Sequence, residues 1–410
     1  MAPVGSYESL QAAIQAGADS VYFGIEKMNM RAHSSNNFTF DDLKEIVRIC
    51  NEHEVKTYLT VNTIVYNNEL PLLYEILDTA KEHKVTAVIA SDIAAIHYAR
   101  QIGLEVHIST QVNITNVESL KFYAQYADVV VLARELNLEQ VRDIYEQIVD
   151  QDIRGPKGEL IQIEMFAHGA LCMAISGKCY LSLHEKNHSA NRGACMQTCR
   201  KAYVVTEKES GNELEIDNQY IMSPKDLCTI SFLNKMLDAG VRVLKIEGRA
   251  RPAEYVQTVV KSYGRAVLAI EHNEYNQQLI DELTTDLATV FNRGFWNGYY
   301  LGQRLGEWSH RYGSRATKRK LYIGKVTNYF GKIGVAEILL ESGSMAIDDE
   351  VLIMGPTTGV IKQKVGEVRV DRKPVEQANK KDLCSLPTGS LVRRNDKVYK
   401  WVDADKVKQQ

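Results

Sequence analysis

The sequence predicts a mixed α/β protein, a TIM-like (β/α)8 barrel followed by a small C-terminal antiparallel β-barrel. Three observations predict it. Short continuous β-branched runs alternate with amphipathic helical stretches over the N-terminal two thirds, as expected of strands covered on both faces of a parallel sheet. The runs end in polar or small residues, which suits a barrel whose strand ends form the reactive face. After Lys318 the pattern changes to short alternating strands. An open doubly wound sheet is the alternative, and it also puts ligands at strand ends.

The opening "APVGS" (2–6) supplies a first strand. Seven more runs follow: "SVYFG" (20–24), "KTYLTVNT" (56–63), "AVIASD" (87–92), "EVHIST" (105–110), "DVVVLAR" (128–134), "IQIEMFAHG" (161–169) and "VRVLKIEGR" (241–249). Their polar or small ends are Gly24, Asn62, Asp92, Gln111, Arg134, His168 and Glu247. Thr39 and Asp42 read as a capping box, with Phe38 and Leu43 as its hydrophobic staple. Asn137 opens "NLEQVRDIYEQI" in the same way. Helices are expected at 251–271 and 275–291, then a loop-like aromatic and arginine-rich segment, "FNRGFWNGYYLGQRLGEWSHRYGS". The expected parts are a barrel over 1–250, a helical extension and linker over 251–315, and a β-barrel domain over 316–410.

An apolar share of 45% and a charged share of 25% exclude a disordered or fibrous chain. No apolar run reaches membrane length, and "MAPVGSYESL" has no signal-peptide pattern. A cytoplasmic location with no membrane partner is therefore expected, and thiols stay reduced there. Seven clustered cysteines then point to metal or redox chemistry rather than disulfides. Residues 315–410 hold 19 Lys+Arg against 12 Asp+Glu, a net of +7, so the rest carries −10 of the total −3. A basic module on an acidic body is compatible with a polyanionic partner.

Cys172, Cys179, Cys195 and Cys199 are spaced C-x6-C-x15-C-x3-C. Four thiolates this close meet the need of a [4Fe–4S] cluster. Zinc competes, but only Cys195 and Cys199 have the spacing of a structural zinc pair. Cys50 reads as a core residue beside Leu43, Ile46 and Val47. Cys228 reads as a core helix residue and a spare ligand. His184-Glu185-Lys186-Asn187-His188 spells H-E-x-x-H, the pattern of a zinc peptidase, which needs both histidines on one helix. The following Ser189, Ala190, Asn191 and Gly193 instead read as loop.

The block "EMFAHGALCMAISGKCYLS" (164–182) resembles the signature of the collagenase-like peptidase family U32. "STQVNITN" (109–116), "LARELNLEQV" (132–141), "GACMQTCR" (193–200) and "KIEGR" (245–249) extend the resemblance over essentially the whole chain. The family usually carries apolar residues ahead of "APxG", so an upstream half of the first strand is expected where this sequence has only Met1. Within the family the chain resembles the oxygen-independent tRNA-hydroxylation branch, through "HGALCMAISGKC" followed by "GACMQTCR".

That resemblance implies an iron–sulfur enzyme that forms 5-hydroxyuridine at the tRNA wobble position, with prephenate as hydroxyl source. It implies tRNA as partner, with other tRNA-modifying enzymes beside it. It makes Cys172, Cys179, Cys195 and Cys199 the cluster ligands. His168, Arg134 and Glu247 become candidate catalytic residues, and Arg31, Gln111, Asn113 and Arg249 candidate substrate contacts. Arginines at strand ends can hold the carboxylates of prephenate by paired hydrogen bonds. The alternatives are a metallopeptidase built on His184, Glu185 and His188, or hydroxylation of another substrate such as rRNA.

Overall fold

The computed structural model describes residues 1–26, 28–30, 32, 37–204, 220–310 and 312–407. Arg31 lies outside the described residues.

The predicted runs form strands in the predicted order. They are β1 (Ala2–Pro3), β2 (Ser20–Phe23), β3 (Lys56–Val61), β4 (Ala87–Ala90), β5 (Glu105–Ile108), β6 (Val129–Val131) and β7 (Gln162–Gly169), each parallel to the next. β8 (Asp226–Cys228) runs antiparallel to the end of β7. β9 (Val241–Ile246) pairs parallel with β7 and continues the series, and β10 (Phe295–Trp296) lies parallel to β8. The Met1 amino group donates to Leu244 O at 2.9 Å, and the Ile246 N–H donates to Met1 O at 3.2 Å. Met1, just before β1, is thus hydrogen-bonded to β9.

Helices join the strands. α1 (Tyr7–Gln15), α2 (Phe40–Glu52), α3 (Leu70–Glu82), α4 (Ile93–Gln101), α5 (Val117–Ala124) and α6 (Leu138–Asp150) follow β1 to β6. The capping boxes at Thr39–Asp42 and Asn137–Gln140 are present, so each helix starts where its side chains satisfy the free N–H groups. α7 (Leu181–Lys186) and α8 (Leu233–Asp238) are short, while α9 (Ala253–Glu271) and α10 (Gln277–Thr289) fill the predicted helical extension. Cys50 is buried on α2 with Leu43, Ile46 and Val47.

Two expectations need correction. Cys228 sits on β8 rather than on a helix, because its three-residue strand pairs with His168 and Gly169 and leaves no periodic signal. The second is partial: the "RGFWNGYY" stretch is loop-like outside Phe295 and Trp296, which form β10, but Trp296 and Tyr300 are buried, and the Tyr300 hydroxyl donates to Phe166 O at 3.0 Å.

From β11 (Lys318–Phe330) and β12 (Val335–Leu340) onward the chain forms, among the described residues, an eight-stranded antiparallel sheet. Its own core includes Val326, Ile338, Ile353 and Val398. It docks on the outer helices. Gln15 of α1 donates to Thr358 O at 2.7 Å and accepts from the Val360 N–H at 3.1 Å. Lys320 pairs with Glu254 of α9 at 2.9 Å. Among the described residues no helix is long and apolar enough to cross a membrane.

Candidate active site

Parallel strands of this kind aim the residues just past their carboxyl ends at a shared space. Here Asn62 after β3, Gln111 after β5, Arg134 after β6, Cys172 after β7, and Glu247 and Arg249 after β9 line one cavity of about 200 Å³. Cys179, Cys195 and Cys199 line it as well. All four cysteines are free thiols. Burial pushes the Cys199 thiol up, and the thiols of Cys172, Cys195 and Cys179 push the same way against the Arg200 charge. Cys172, Cys179 and Cys195 are therefore each within electrostatic reach of Cys199. Among the described residues no three His, Cys, Asp or Glu side chains are drawn together closely enough to hold a metal ion as they stand.

Glycines let the cysteine segments sit on the strand ends. Gly177 has φ +72°, and a Cβ there would lie 3.0 Å from the Gln111 side chain. Gly193 has φ +85°, and a Cβ there would lie 2.6 Å from Asn29 O. Each stands two residues before a cysteine, where only glycine accepts both the backbone twist and the close approach. Arg192 ties the same segment down by an ion pair with Glu69 at 2.6 Å and by stacking 3.6 Å over the Tyr66 ring.

Arg134 lies 3.8 Å over the Phe166 ring and donates to Ala170 O at 3.3 Å, while its buried Nε has no hydrogen-bond partner among the described residues. Arg249 is buried and donates to Asn29 Oδ1 at 3.0 Å and Thr60 Oγ1 at 2.9 Å. Gln111 accepts from Ser91 Oγ at 3.2 Å. The Tyr22 hydroxyl stands 3.4 Å from Glu247 Oε2. Glu247 is the one carboxylate among the described residues lining the cavity.

Two predicted residues do not line the cavity. Asn113, in a left-handed conformation at φ 59°, donates to Gln111 O and Ser176 O, each at 2.9 Å, and so pins the Cys172–Cys179 loop. His168 is 1% exposed and lies between Tyr263, Tyr255 and Phe295, with Nδ1 3.4 Å from the Tyr263 hydroxyl. Burial, with the Arg251 charge behind it, pushes its pKa down to about 3, so the ring is neutral. Cys228 lies outside the cavity too, and burial pushes its thiol up to about 11.

The H-E-x-x-H expectation is corrected in part. His184 and Glu185 do lie on a short helix, α7, rather than in a loop. Asn187 then turns left-handed at φ 54°, so His188 falls beyond the helix end and the two histidines cannot share one face. Both are exposed, and Glu185 pairs with Lys201.

Sequence reasoning missed Lys245, Arg200, Arg251 and Arg293 in the cavity wall. Lys245 stands in the "KIEGR" block, and inside β9 it reads as a surface residue. Its ammonium instead meets the buried Glu164 at 2.6 Å where β7 and β9 pair, with His107 Nδ1 3.5 Å from the same carboxylate. Burial raises the Glu164 pKa, but Lys245 and His107 outweigh it and hold the group at about 2.

The model of peptidase family U32 matches residues 5–310. A protein named collagenase from Porphyromonas gingivalis is 61% identical over 98% of this chain and 97% of its own length. A protein named tRNA hydroxylation protein P1 from Bacillus subtilis is 32% identical over 80% of this chain and 77% of its own. A 23S rRNA 5-hydroxycytidine synthase from Escherichia coli is 36% identical over 63% of this chain but 37% of its own. The collagenase-named relative is thus more similar than either hydroxylation-named one. With the family model spanning most of its length, the chain belongs to peptidase family U32.

Proposed function

We propose that this protein supports oxygen-independent hydroxylation of an RNA pyrimidine, the tRNA wobble uridine first, with prephenate as hydroxyl source. The observation that carries the reading is the convergence of four free thiols and several arginines on one cavity at the strand ends. The relatives named for tRNA and rRNA hydroxylation support it. The proposed frame is a closed TIM-like barrel.

The donor set suits a [4Fe–4S] cluster: four reduced thiols, no competing histidine in the lining, and arginines to offset the thiolate charge. Cys172, Cys179, Cys195 and Cys199 would hold it. When bound, the cluster supplies redox chemistry that side chains alone do not manage. The chain's own residues then bind and orient. Arg134 and Arg249 present planar guanidinium groups to the carboxylates of a small diacid. Phe166 fixes the Arg134 plane by stacking. Glu247, as the carboxylate in the lining, is placed to take a proton from the reacting ring.

The name of the 61% identical relative favours a second reading, peptide-bond hydrolysis. The exposed, split H-E-x-x-H gives it no zinc site on a helix. The deciding experiment is mass spectrometry of tRNA and rRNA nucleosides from a strain lacking the gene, grown with and without oxygen. Loss of wobble 5-hydroxyuridine derivatives is expected under both conditions. Unchanged nucleosides, together with gelatin cleavage by the purified protein, would establish the peptidase reading instead.

A further inference from the structure

Beside the inner cavity lies a second, more open depression of about 570 Å³. The two share Cys195, Gln197, Arg200, Arg251 and Arg293, so one wall serves both. Lys201, Phe291 and Tyr312 are among the residues that line only the outer depression. Four cations face this depression, and no carboxylate lines it among the described residues.

Three of the cations already have partners. Arg200 donates to Ser223 Oγ at 3.1 Å, Pro224 O at 2.6 Å and Leu171 O at 2.5 Å. Arg293 pairs with Asp226 at 3.3 Å, and Lys201 pairs with Glu185. Arg251 differs. Its guanidinium stacks 3.6 Å over the Phe291 ring, and among the described residues no carboxylate or carbonyl accepts from it. Asp226 and Glu247 act on it from beyond ion-pair distance, so this largely enclosed cation has no ion pair among the described residues, and binding an anion offsets the cost of its burial. The shared wall puts such an anion at the mouth of the inner cavity.

The geometry fits one ligand class. An inner cavity of about 200 Å³ has room for a base or a small diacid, not for a polynucleotide strand. Enzymes that act on a nucleobase turn it into a pocket and leave the backbone outside. Tyr312 is 73% exposed on the outer rim, where a flat ring is otherwise poorly placed in water. Exposed aromatics beside cations form the stacking platforms of single-strand binders.

We propose that this depression is a docking subsite for single-stranded RNA. Arg251 binds the phosphodiester next to the reacting nucleotide, and Tyr312 stacks on a neighbouring base. The inference rests on the RNA-hydroxylation reading and adds to it where the strand lies.

The test measures binding of an unmodified tRNA transcript to the full-length, anaerobically purified protein over a range of salt concentrations. Arg251→Gln should weaken binding about tenfold and lower the slope of log affinity against log salt by about 0.7, the value for one single-strand phosphate contact. Arg251→Lys should restore the slope. Tyr312→Ala changes an exposed side chain, so its fold is safe. It should weaken binding about 5- to 100-fold with the slope unchanged. Wild-type affinity and slope in Arg251→Gln and Tyr312→Ala would overturn the subsite and leave the RNA reading standing. So would an Arg251→Gln variant that loses only prephenate binding, which would assign Arg251 to the inner cavity. Failure of the wild-type protein to bind tRNA would overturn the subsite and the RNA reading together.

Discussion

The Lys245 ammonium lies 2.6 Å from Glu164 Oε1, and both residues are buried where β7 and β9 pair, with Lys245 in the cavity wall. A charge pair so enclosed is a weak stabiliser as a pair, but without Lys245 the buried Glu164 keeps only His107 beside it, and without Glu164 the Lys245 ammonium is a buried, uncompensated charge.

Lys245→Met should therefore destabilise the protein by about 3–5 kcal/mol. The double variant Lys245→Met with Glu164→Leu should recover much of that loss. Denaturant unfolding monitored by tryptophan fluorescence checks both. A double variant no more stable than the single one would show that the pair matters for more than charge balance. Glu164, held at about 2, contributes fully above its ordinary 4.5 and is lost as pH falls toward 2.

The stability of the wild-type protein should fall earlier on acidification, from about pH 6.5 downward, at up to about 1.4 kcal/mol per pH unit. His168 causes this. Its folded pKa of about 3 is below the ordinary 6.5, so the unfolded chain binds a proton that the folded one excludes. His107 does not oppose the slope there. Its burial penalty is outweighed by Glu105 and Glu164, its pKa is raised, and its contribution is complete below 6.5. His168→Gln should flatten the profile between about pH 6.5 and pH 5. Denaturation midpoints across that range test it, and an unchanged slope would remove His168 as the cause.

Anaerobically purified protein should be brown, with about four irons per chain. Cys195→Ala should lose the iron, and Cys228→Ala should keep it, since Cys228 is enclosed outside the cavity. Iron analysis and the visible spectrum report this. Stoichiometric zinc without iron would overturn the cluster.

His184→Ala and His188→Ala should leave iron content and RNA modification within about twofold of wild type, as expected of exposed surface residues. Loss of activity with iron intact in either variant would favour peptidase chemistry.

Arg134→Lys should keep the iron while RNA modification falls about 10- to 100-fold, because the ammonium retains the charge but loses the planar fork and the Phe166 stack. Nucleoside analysis in a complemented deletion strain measures it.

The sequence by itself determined the parallel strand series, the capped helices and the change to antiparallel strands near Lys318. These are local matters of periodicity and capping, written within a few residues of where they act. It also singled out, by residue type and clustering, the four cysteines that line the cavity. Only the tertiary structure decided which polar residues reach the cavity. Asn113 and His168 sit at strand ends like Gln111 and Arg134, yet one pins a loop and the other is enclosed by aromatics. Lys245 and Arg251 gave no signal, since a lysine within a strand and an arginine before a helix are ordinary surface residues in sequence. Their roles arise from where β7, β9 and Phe291 bring them, and burial, unlike periodicity, is set by contacts between residues far apart in the chain.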